Sequence, residues 1–392
     1  MMHGRTILCF ASGYDAPPTS KHHVMRILAR RNTVLWVNYH ASRRPTAGPS
    51  DLRHMAGRLG GVFRGLTKAA AGLYVLTPLV LPLPTSPWAR RINRSLLTRQ
   101  IHRALRPLRT GPLQVWSFCP DVAYLLDGLE AERVVYYCVD DFASFTGYDR
   151  AQVLRDEAEL CRRADLVVTT SRALCRTKGK LNPRTILVRH GVDWGHFARA
   201  VLDPPPAPRD VAAIGRPRIG FFGLIRDWVD LDLVAAVARR RPAWQFVFLG
   251  GSTVDLSPFR ALENVHFLGA RPYASLPAYC RQMDAAMIPF KVNNLTRAVN
   301  PIKLREYLAA GLGVVSTPLP EVRRYEHLVE IGDGADAFDA ALERVLHTDG
   351  DAREERVRAM QRETWPRKVR QICEHLKAPR RHAAAKGPEG AR

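Results

Sequence analysis

No stretch of about 18 or more uninterrupted apolar residues occurs in the 392-residue chain, which argues against a transmembrane helix. The opening "MMHGRTILCFASGYD" also lacks the long apolar segment and small-residue cleavage site of a signal peptide. A cytoplasmic location is the expectation. The seven cysteines, at positions 9, 119, 138, 161, 175, 280 and 373, include no C-x-x-C pair, and none has a histidine at zinc-ligand spacing. They read as small buried hydrophobes, and neither a metal nor a cofactor is expected. No repeat with a period of about 20–50 residues is present, which excludes a solenoid. Acidic side chains are scarce in one region. Residues 1–120 hold eighteen Lys and Arg but only Asp15 and Asp51 as acids, so a net +16 of the chain's +22 lies in its first third.

The length exceeds the usual span of one hydrophobic core, so two domains are expected, and an apolar fraction of 46% fits a globular protein. In "SPWARRINRSLLTRQIHRALRPLRT", Arg90, Arg91, Arg94, Arg99, Arg103, Arg106 and Arg109 alternate with Ile92, Leu96, Leu97, Ile101 and Leu105 at roughly helical spacing. That is a basic amphipathic helix. It fits a solvated arginine face, or a contact with an anionic membrane surface or a phosphate-bearing partner. Beside it, "GLYVLTPLVLPLP" is a proline-broken apolar run that could rest in a membrane interface without spanning it. Nucleic acid is the rival partner, but no aromatic-interleaved basic motif or RNA-binding signature accompanies the charge, so none is expected.

Short apolar runs alternate with amphipathic segments from end to end: "TILCF", "TVLWVN", "RVVYYCV", "DLVVTT" and "TILVRH" in the first half, "RIGFFG", "WQFVFLG", "NVHFLG", "AAMIPF" and "GVVST" in the second. Alternation of this kind predicts an α/β protein with parallel sheets covered on both faces. The pattern stops at "VLDPPPAPRDVAAIGRP" and then restarts, which predicts two doubly wound, Rossmann-like domains over 1–205 and 206–360. "RETWPRKVRQICEHL" reads as a last helix within 361–378, and 379–392 holds too few large apolar residues to fold.

Open parallel sheets bind ligands beyond the carboxyl ends of their strands. After "AAMIPF" comes a polar loop and then "NPIKLREYLAAG". Asn300 is expected to cap a helix and Pro301 to occupy its first turn, so that free N–H groups and the positive dipole end face the cleft. At 100° per residue, Lys303 and Glu306 project within about 60° of each other. Lys303 can reach a diphosphate and Glu306 can accept hydrogen bonds from the vicinal hydroxyls of a ribose; the alternative is an exposed ion pair. Other strand ends supply Gly223 with Arg226 as a diphosphate partner, Tyr273 close after Gly269, and His190 with Gly191.

The runs "HGVD", "FFG" with Arg226, "FLG" and above all "NPIKLREYLAAG" followed by "VVST" resemble GT-B glycosyltransferases of the bacterial exopolysaccharide and cell-wall glycan type. The resemblance covers roughly residues 5 to 376 and is most specific in the second half. It implies two Rossmann-like domains facing a cleft, with the acceptor on the first, a nucleotide-sugar donor on the second, and a last helix crossing back to the first. It also implies that Glu306 holds the ribose and that Asn300, Pro301 and Lys303 form the diphosphate turn, with Arg271 at the same site. Many retaining members carry another glutamate eight residues before the ribose one, where this chain has Ala298, and a lysine soon after the Gly-Arg element, where it has "DWVD". Inverting and retaining chemistry both stay open.

Inversion requires a base on the acceptor side. Asp140 and Asp141 follow a strand of the first domain, and xanthan-type glucuronosyltransferases, which the segment resembles, carry an aspartate after the equivalent strand. Asp140 is the expected base, with a helix-capping role as the alternative for one of the pair. Gly13, His22 and His23 are candidate acceptor contacts. "DLD" at 230–232 matches the metal-binding D-x-D of another glycosyltransferase fold, but it opens an amphipathic helix, where acids are ordinary. The expected function is metal-independent transfer of a sugar, with UDP as nucleotide, to a lipid-linked or glycan acceptor by a peripheral membrane enzyme. A GT-B sugar-nucleotide epimerase is the rival within enzymes.

Overall fold

The computed structural model describes residues 2–39, 65–81, 83, 86–347 and 351–377. The uninterrupted apolar runs become the central strands, because a strand covered by helices on both faces has no polar side to show. The first layer contains β1 (Thr6–Ala11), β2 (Thr33–Asn38), β3 (Leu66–Ala70), β4 (Leu73–Leu76), β5 (Leu113–Ser117), β6 (Arg133–Cys138), β7 (Leu166–Thr169) and β8 (Thr185–Leu187), of which the edge strand β3 is exposed throughout. They form one sheet in the order β3-β4-β2-β1-β5-β6-β7-β8. Every pairing is parallel except that of β3 with β4.

The second sheet contains β9 (Arg218–Phe222), β10 (Gln245–Leu249), β11 (Val265–Gly269), β12 (Ala285–Ile288), β13 (Gly313–Ser316) and β14 (Val329–Ile331). Its order is β11-β10-β9-β12-β13-β14, parallel throughout. Strand order reverses between β1 and β5 in one sheet and between β9 and β12 in the other. Each reversal opens a crevice at the carboxyl ends, because the connections leave toward opposite faces there. The expected α/β architecture with two Rossmann-like sheets is what the chain adopts, and the proline-rich stretch lies between β8 and β9.

The helices used below are α1 (Ser20–Ala29), α2 (Pro87–Leu105), α3 (Arg150–Arg163), α4 (Arg172–Gly179), α5 (Leu231–Arg240), α6 (Leu276–Gln282), α7 (Ile302–Ala309), α8 (Gly334–Leu346), α9 (Asp351–Met360) and α10 (Trp365–Lys377). The apolar face of α10, with Trp365, Val369, Ile372, Cys373 and Leu376, packs into the core of the first layer beside Val24, Met25 and Leu28 of α1. The last helix therefore crosses back. The segment 379–392 lies outside the described residues.

One expectation changes and one holds. The run around Leu73–Leu76 is a buried strand paired with β2, because its alternation fits the sheet better than an interface; only Leu79 and Leu83 beyond it are exposed. Asp230 of "DLD" caps α5, its side chain accepting from the Leu233 N–H at 3.0 Å, so the motif is an N-cap. Five of the seven cysteines are buried, Cys119 and Cys175 partly so, and all are free.

Candidate active site

Helix α7 stands at the β9/β12 reversal. Leu304, Tyr307 and Leu308 are buried against the sheet, and the Tyr307 hydroxyl accepts from the Phe222 N–H at 2.9 Å. The helix ends as "AAG" predicts, with the Gly311 N–H bonded to the Leu308 carbonyl and the Leu312 N–H to that of Tyr307. Its start differs from expectation. Pro301 is the N-cap, and no side chain caps the first turn. Asn300 is engaged elsewhere: its Nδ2 donates to the Thr170 carbonyl of the first layer at 2.7 Å, and its Oδ1 accepts from Arg305 Nη1 at 2.7 Å. Arg305 is fully buried, and a buried guanidinium needs an acceptor more than a helix start needs a cap.

Lys303 and Glu306 do share a face, and the exposed ion pair does not form. The Lys303 ammonium lies 5.2 Å from the centre of the Phe221 ring and 5.7 Å from that of Phe290. Among the described residues it has no hydrogen-bond or ion-pair partner. Its place is opened by Gly223, whose φ is +130° and where a Cβ would stand 2.5 Å from Nζ. Glu306 is 5% exposed, and its carboxyl likewise bonds to none of the described residues. Burial pushes the Glu306 carboxyl up to about 7, opposed by Lys303, and burial draws the Lys303 ammonium down. Arg226 follows Gly223 in the loop; its guanidinium sits over Trp228 at 5.0 Å, and its buried Nε has no partner.

The remaining donor-side candidates divide. Tyr273 reaches this region: burial and the nearby Glu306 carboxylate drive its phenol upward, and its buried hydroxyl has no partner. Arg271 turns away into an ion pair with Asp210 at 2.6 Å, and it also bonds the Tyr279 hydroxyl. A fixed carboxylate nearby outcompetes an open cleft. Gly191 leaves room for protein: a Cβ there would stand 2.6 Å from the Trp365 backbone nitrogen, at the start of the crossing helix. The His190 ring lies 5.8 Å from that of Trp365, and burial pushes it down to about 3. Both residues pack against the start of α10, and the buried His190 Nδ1 bonds to none of the described residues.

In the first layer, Asp140 lies two residues beyond the end of β6, with a carboxyl that makes no hydrogen bond among the described residues. Burial, reinforced by Asp141 and opposed by Lys21, raises it to about 6. Asp141 stands at the N-cap position of the short 3₁₀ turn Phe142–Ser144, but its side chain caps no backbone N–H there and instead accepts from Ser144 Oγ at 2.6 Å. His22 is structural: its Nδ1 accepts from the Thr19 N–H at 3.1 Å, so its Nε2–H donates to the Tyr14 carbonyl at 3.0 Å, and the ring is fully buried. His23 stacks on Trp365 at 5.2 Å and faces Tyr273 at 5.9 Å, on the donor side. Gly13 stays in the turn after β1, where its carbonyl accepts from the Ala16 N–H.

Sequence reasoning passed over several residues here. Lys21, in the first turn of α1, donates to Ser12 Oγ and lies within electrostatic reach of Asp140; its place beside His22 and His23 in a strand-end segment was the available signal. Asp193 and His196, just past "HGV", belong to the Tyr273 cluster. Glu321 ties the two layers, accepting from the Arg172 N–H at 2.7 Å and pairing with Arg189 at 2.6 Å. Nothing local marks it. A groove between the layers is lined by Ser144, Thr146 and Arg150 on one side and Asp227, Trp228 and Asn293 on the other. Among the described residues, no three His, Cys, Asp or Glu side chains gather as metal ligands.

Two Rossmann-like layers with a groove between them, Lys303 and Arg226 making no ion pair among the described residues at one strand reversal and Asp140 beyond a strand end of the other sheet, fit the GT-B arrangement. Residues 216–348 match the family described as "Glycosyl transferases group 1". TuaH of Bacillus subtilis (strain 168), named for a glycosyltransferase of teichuronic acid biosynthesis, is 28% identical over 67% of this chain and 71% of its own. Among solved structures, sucrose-phosphate synthase from Thermosynechococcus elongatus superposes with a TM-score of 0.67 at 14% identity, covering 95% of this chain and 98% of its own. Anabaena HepE, in complex with UDP-glucose, gives 0.63 at 16% identity over 95% and 99% of the two chains. The chain is a glycosyltransferase of the GT-B fold.

Proposed function

We propose that this enzyme transfers a sugar from a nucleoside diphosphate sugar, with UDP as the nucleotide, to a lipid-linked or glycan acceptor during assembly of a cell-wall or extracellular polysaccharide. The observation that carries the reading is the pair Lys303 and Glu306: two titratable groups one helical turn apart at a strand reversal, neither bonded to any described residue. A charge is left without a partner inside a protein when a ligand supplies it. Lys303, Arg226 and the uncapped start of α7 stabilise the leaving diphosphate, electrostatic work for which a metal is not required. Glu306 accepts from the ribose. The UDP-glucose complex of HepE and the teichuronic acid assignment of TuaH support the donor and the pathway.

Asp140 serves as base in an inverting displacement. The acceptor oxygen attacks the anomeric carbon, its proton passes to the Asp140 carboxylate, and the bond to the diphosphate breaks with its electron pair. A carboxyl raised to about 6 is ionised at neutral pH yet basic enough to take that proton. The outer face of α2, with Trp88 57% and Ile92 48% exposed beside the exposed Arg91, Arg99, Arg103 and Arg106, docks the enzyme on the anionic inner face of the cytoplasmic membrane, where a lipid-linked acceptor resides.

The test is a thermal-shift panel of UDP, GDP, ADP and dTDP on the native protein and on Glu306→Ala. A ligand at 100 times its dissociation constant adds about 2.7 kcal/mol, a readable shift. UDP is expected to stabilise the native protein most and the variant far less. Equal shifts in the two proteins would refute the ribose role, and no shift from any nucleotide would refute the donor class.

A further inference from the structure

Around Glu306 lie polar groups that the transfer step does not use. The Tyr273 hydroxyl is buried and bonds to none of the described residues, and the same holds for Nε2 of His23, a side chain 9% exposed. The two rings are 5.9 Å apart. Tyr273 is fixed from behind by His196, whose ring stacks on it at 4.6 Å and whose Nε2 bonds its carbonyl oxygen at 2.9 Å. Asp193, exposed and making no side-chain bond to the described residues, lies within electrostatic reach of Tyr273, Glu306 and His23. Arg26 of α1 and, beside Glu306, Lys303 are the cations within electrostatic reach of these groups.

Orphaned polar atoms in such a place are costly, and buried polar groups in folded proteins are otherwise bonded. Here a hydroxyl, an imidazole nitrogen and two carboxyls lie within electrostatic reach of one another, none bonded to a described residue. Asp193 is exposed and Glu306 is buried. A ligand dense in hydroxyls matches them: ribose O–H groups donate to the carboxylates, and the phenol donates to a ribose oxygen. His23 comes from the first domain and the other groups from the second half of the chain or its approach.

We propose that Asp193, Tyr273 and His23 complete the ribose pocket around Glu306 and make the donor site selective for ribonucleotides over 2′-deoxyribonucleotides. The inference rests on the reading of Glu306 as the ribose acceptor. It adds that the pocket is closed by a residue of the opposite domain, so the nucleotide is gripped across the cleft. A site built to bond a hydroxyl rejects the analogue lacking it, because its own groups are then left unpaired.

The experiment is calorimetric titration of UDP and 2′-deoxy-UDP into the full-length protein and into Glu306→Gln, Asp193→Asn, Tyr273→Phe and His23→Phe. These substitutions keep shape and ring stacking. The wild type should prefer UDP by about tenfold or more, and each of Asp193→Asn, Tyr273→Phe and His23→Phe should shrink that ratio several-fold. A general loss of structure would weaken both ligands alike and leave the ratio unmoved. If the three variants keep the wild-type ratio while Glu306→Gln abolishes it, the inference is overturned and the Glu306 reading stands. If the wild type binds both nucleotides equally and Glu306→Gln changes neither, the ribose reading falls as well.

Discussion

The Lys303 ammonium occupies the space that a side chain at Gly223 would need, with Nζ 2.5 Å and Cε 2.7 Å from the position of a Cβ there. A glycine at the end of β9 thus makes room for a cation carried by a helix some eighty residues later in the chain. The two positions are one device.

Gly223→Ala should therefore displace Lys303 and strain a backbone held at φ +130°, at a cost of about 1–3 kcal/mol. UDP affinity should fall at least as far as in Lys303→Met, and the double variant should be no weaker than the worse single one. Titration calorimetry on the three proteins checks this. Wild-type affinity in Gly223→Ala would remove Lys303 from the diphosphate role.

Asp140→Asn should lower kcat about 10²–10⁴-fold with nucleotide affinity unchanged, because the base acts on the acceptor. In the wild type, activity should decline as pH drops through about 6, where the Asp140 carboxyl takes up its proton and can no longer accept one. Asp141→Asn, which keeps an oxygen for Ser144, should retain most activity. A wild-type rate in Asp140→Asn would place the base elsewhere or make the reaction retaining.

Glu321 is 4% exposed and holds Arg189 and the start of α4 against the second domain. Removing one partner of a buried ion pair leaves the other uncompensated, so Glu321→Ala should cost about 3–5 kcal/mol. Denaturant unfolding measures the loss. Arg189→Met with Glu321→Leu should recover part of it, since neither charge then remains alone; no recovery would mean that the Arg172 N–H bond dominates.

On α2, Arg90 pairs with Asp156 and Arg94 with Asp127, which leaves Arg91, Arg99 and Arg103 on the outer face beside Trp88 and Ile92. Each arginine near an anionic surface contributes about 1 kcal/mol. Changing the three to glutamine should weaken binding to phosphatidylglycerol vesicles by about a hundredfold in sedimentation, with less effect at high salt. Binding that ignores both the substitutions and the salt would remove α2 from the membrane.

The fold was legible because parallel strands covered on both faces are written as uninterrupted apolar runs, and these mark most of both sheets. The antiparallel β3, fully exposed along Leu66–Ala70, carries no such run. Within the candidate site, the shared helix face of Lys303 and Glu306 and the place of Asp140 past a strand end could be read, because each follows directly from helical period or strand ending. Asn300 and Arg271 could not. Each is redirected by a partner, Arg305 or Asp210, that only packing brings near. His22 and His23 are adjacent in sequence, yet one bonds its own helix start and the other faces the opposite domain, because successive helical residues point about 100° apart.

Local patterning by itself determined the two α/β units, the α7 face and the basic α2, since hydrophobic period, turn chemistry and charge are properties of neighbouring residues. Tertiary structure decided which candidates meet. It left Lys303, Glu306 and the Tyr273 hydroxyl without hydrogen bonds to the described residues, gave Asn300, Arg271 and His22 structural bonds, and set Gly191 against Trp365. A polar group's availability depends on what long-range packing places beside it, and sequence spacing does not record that.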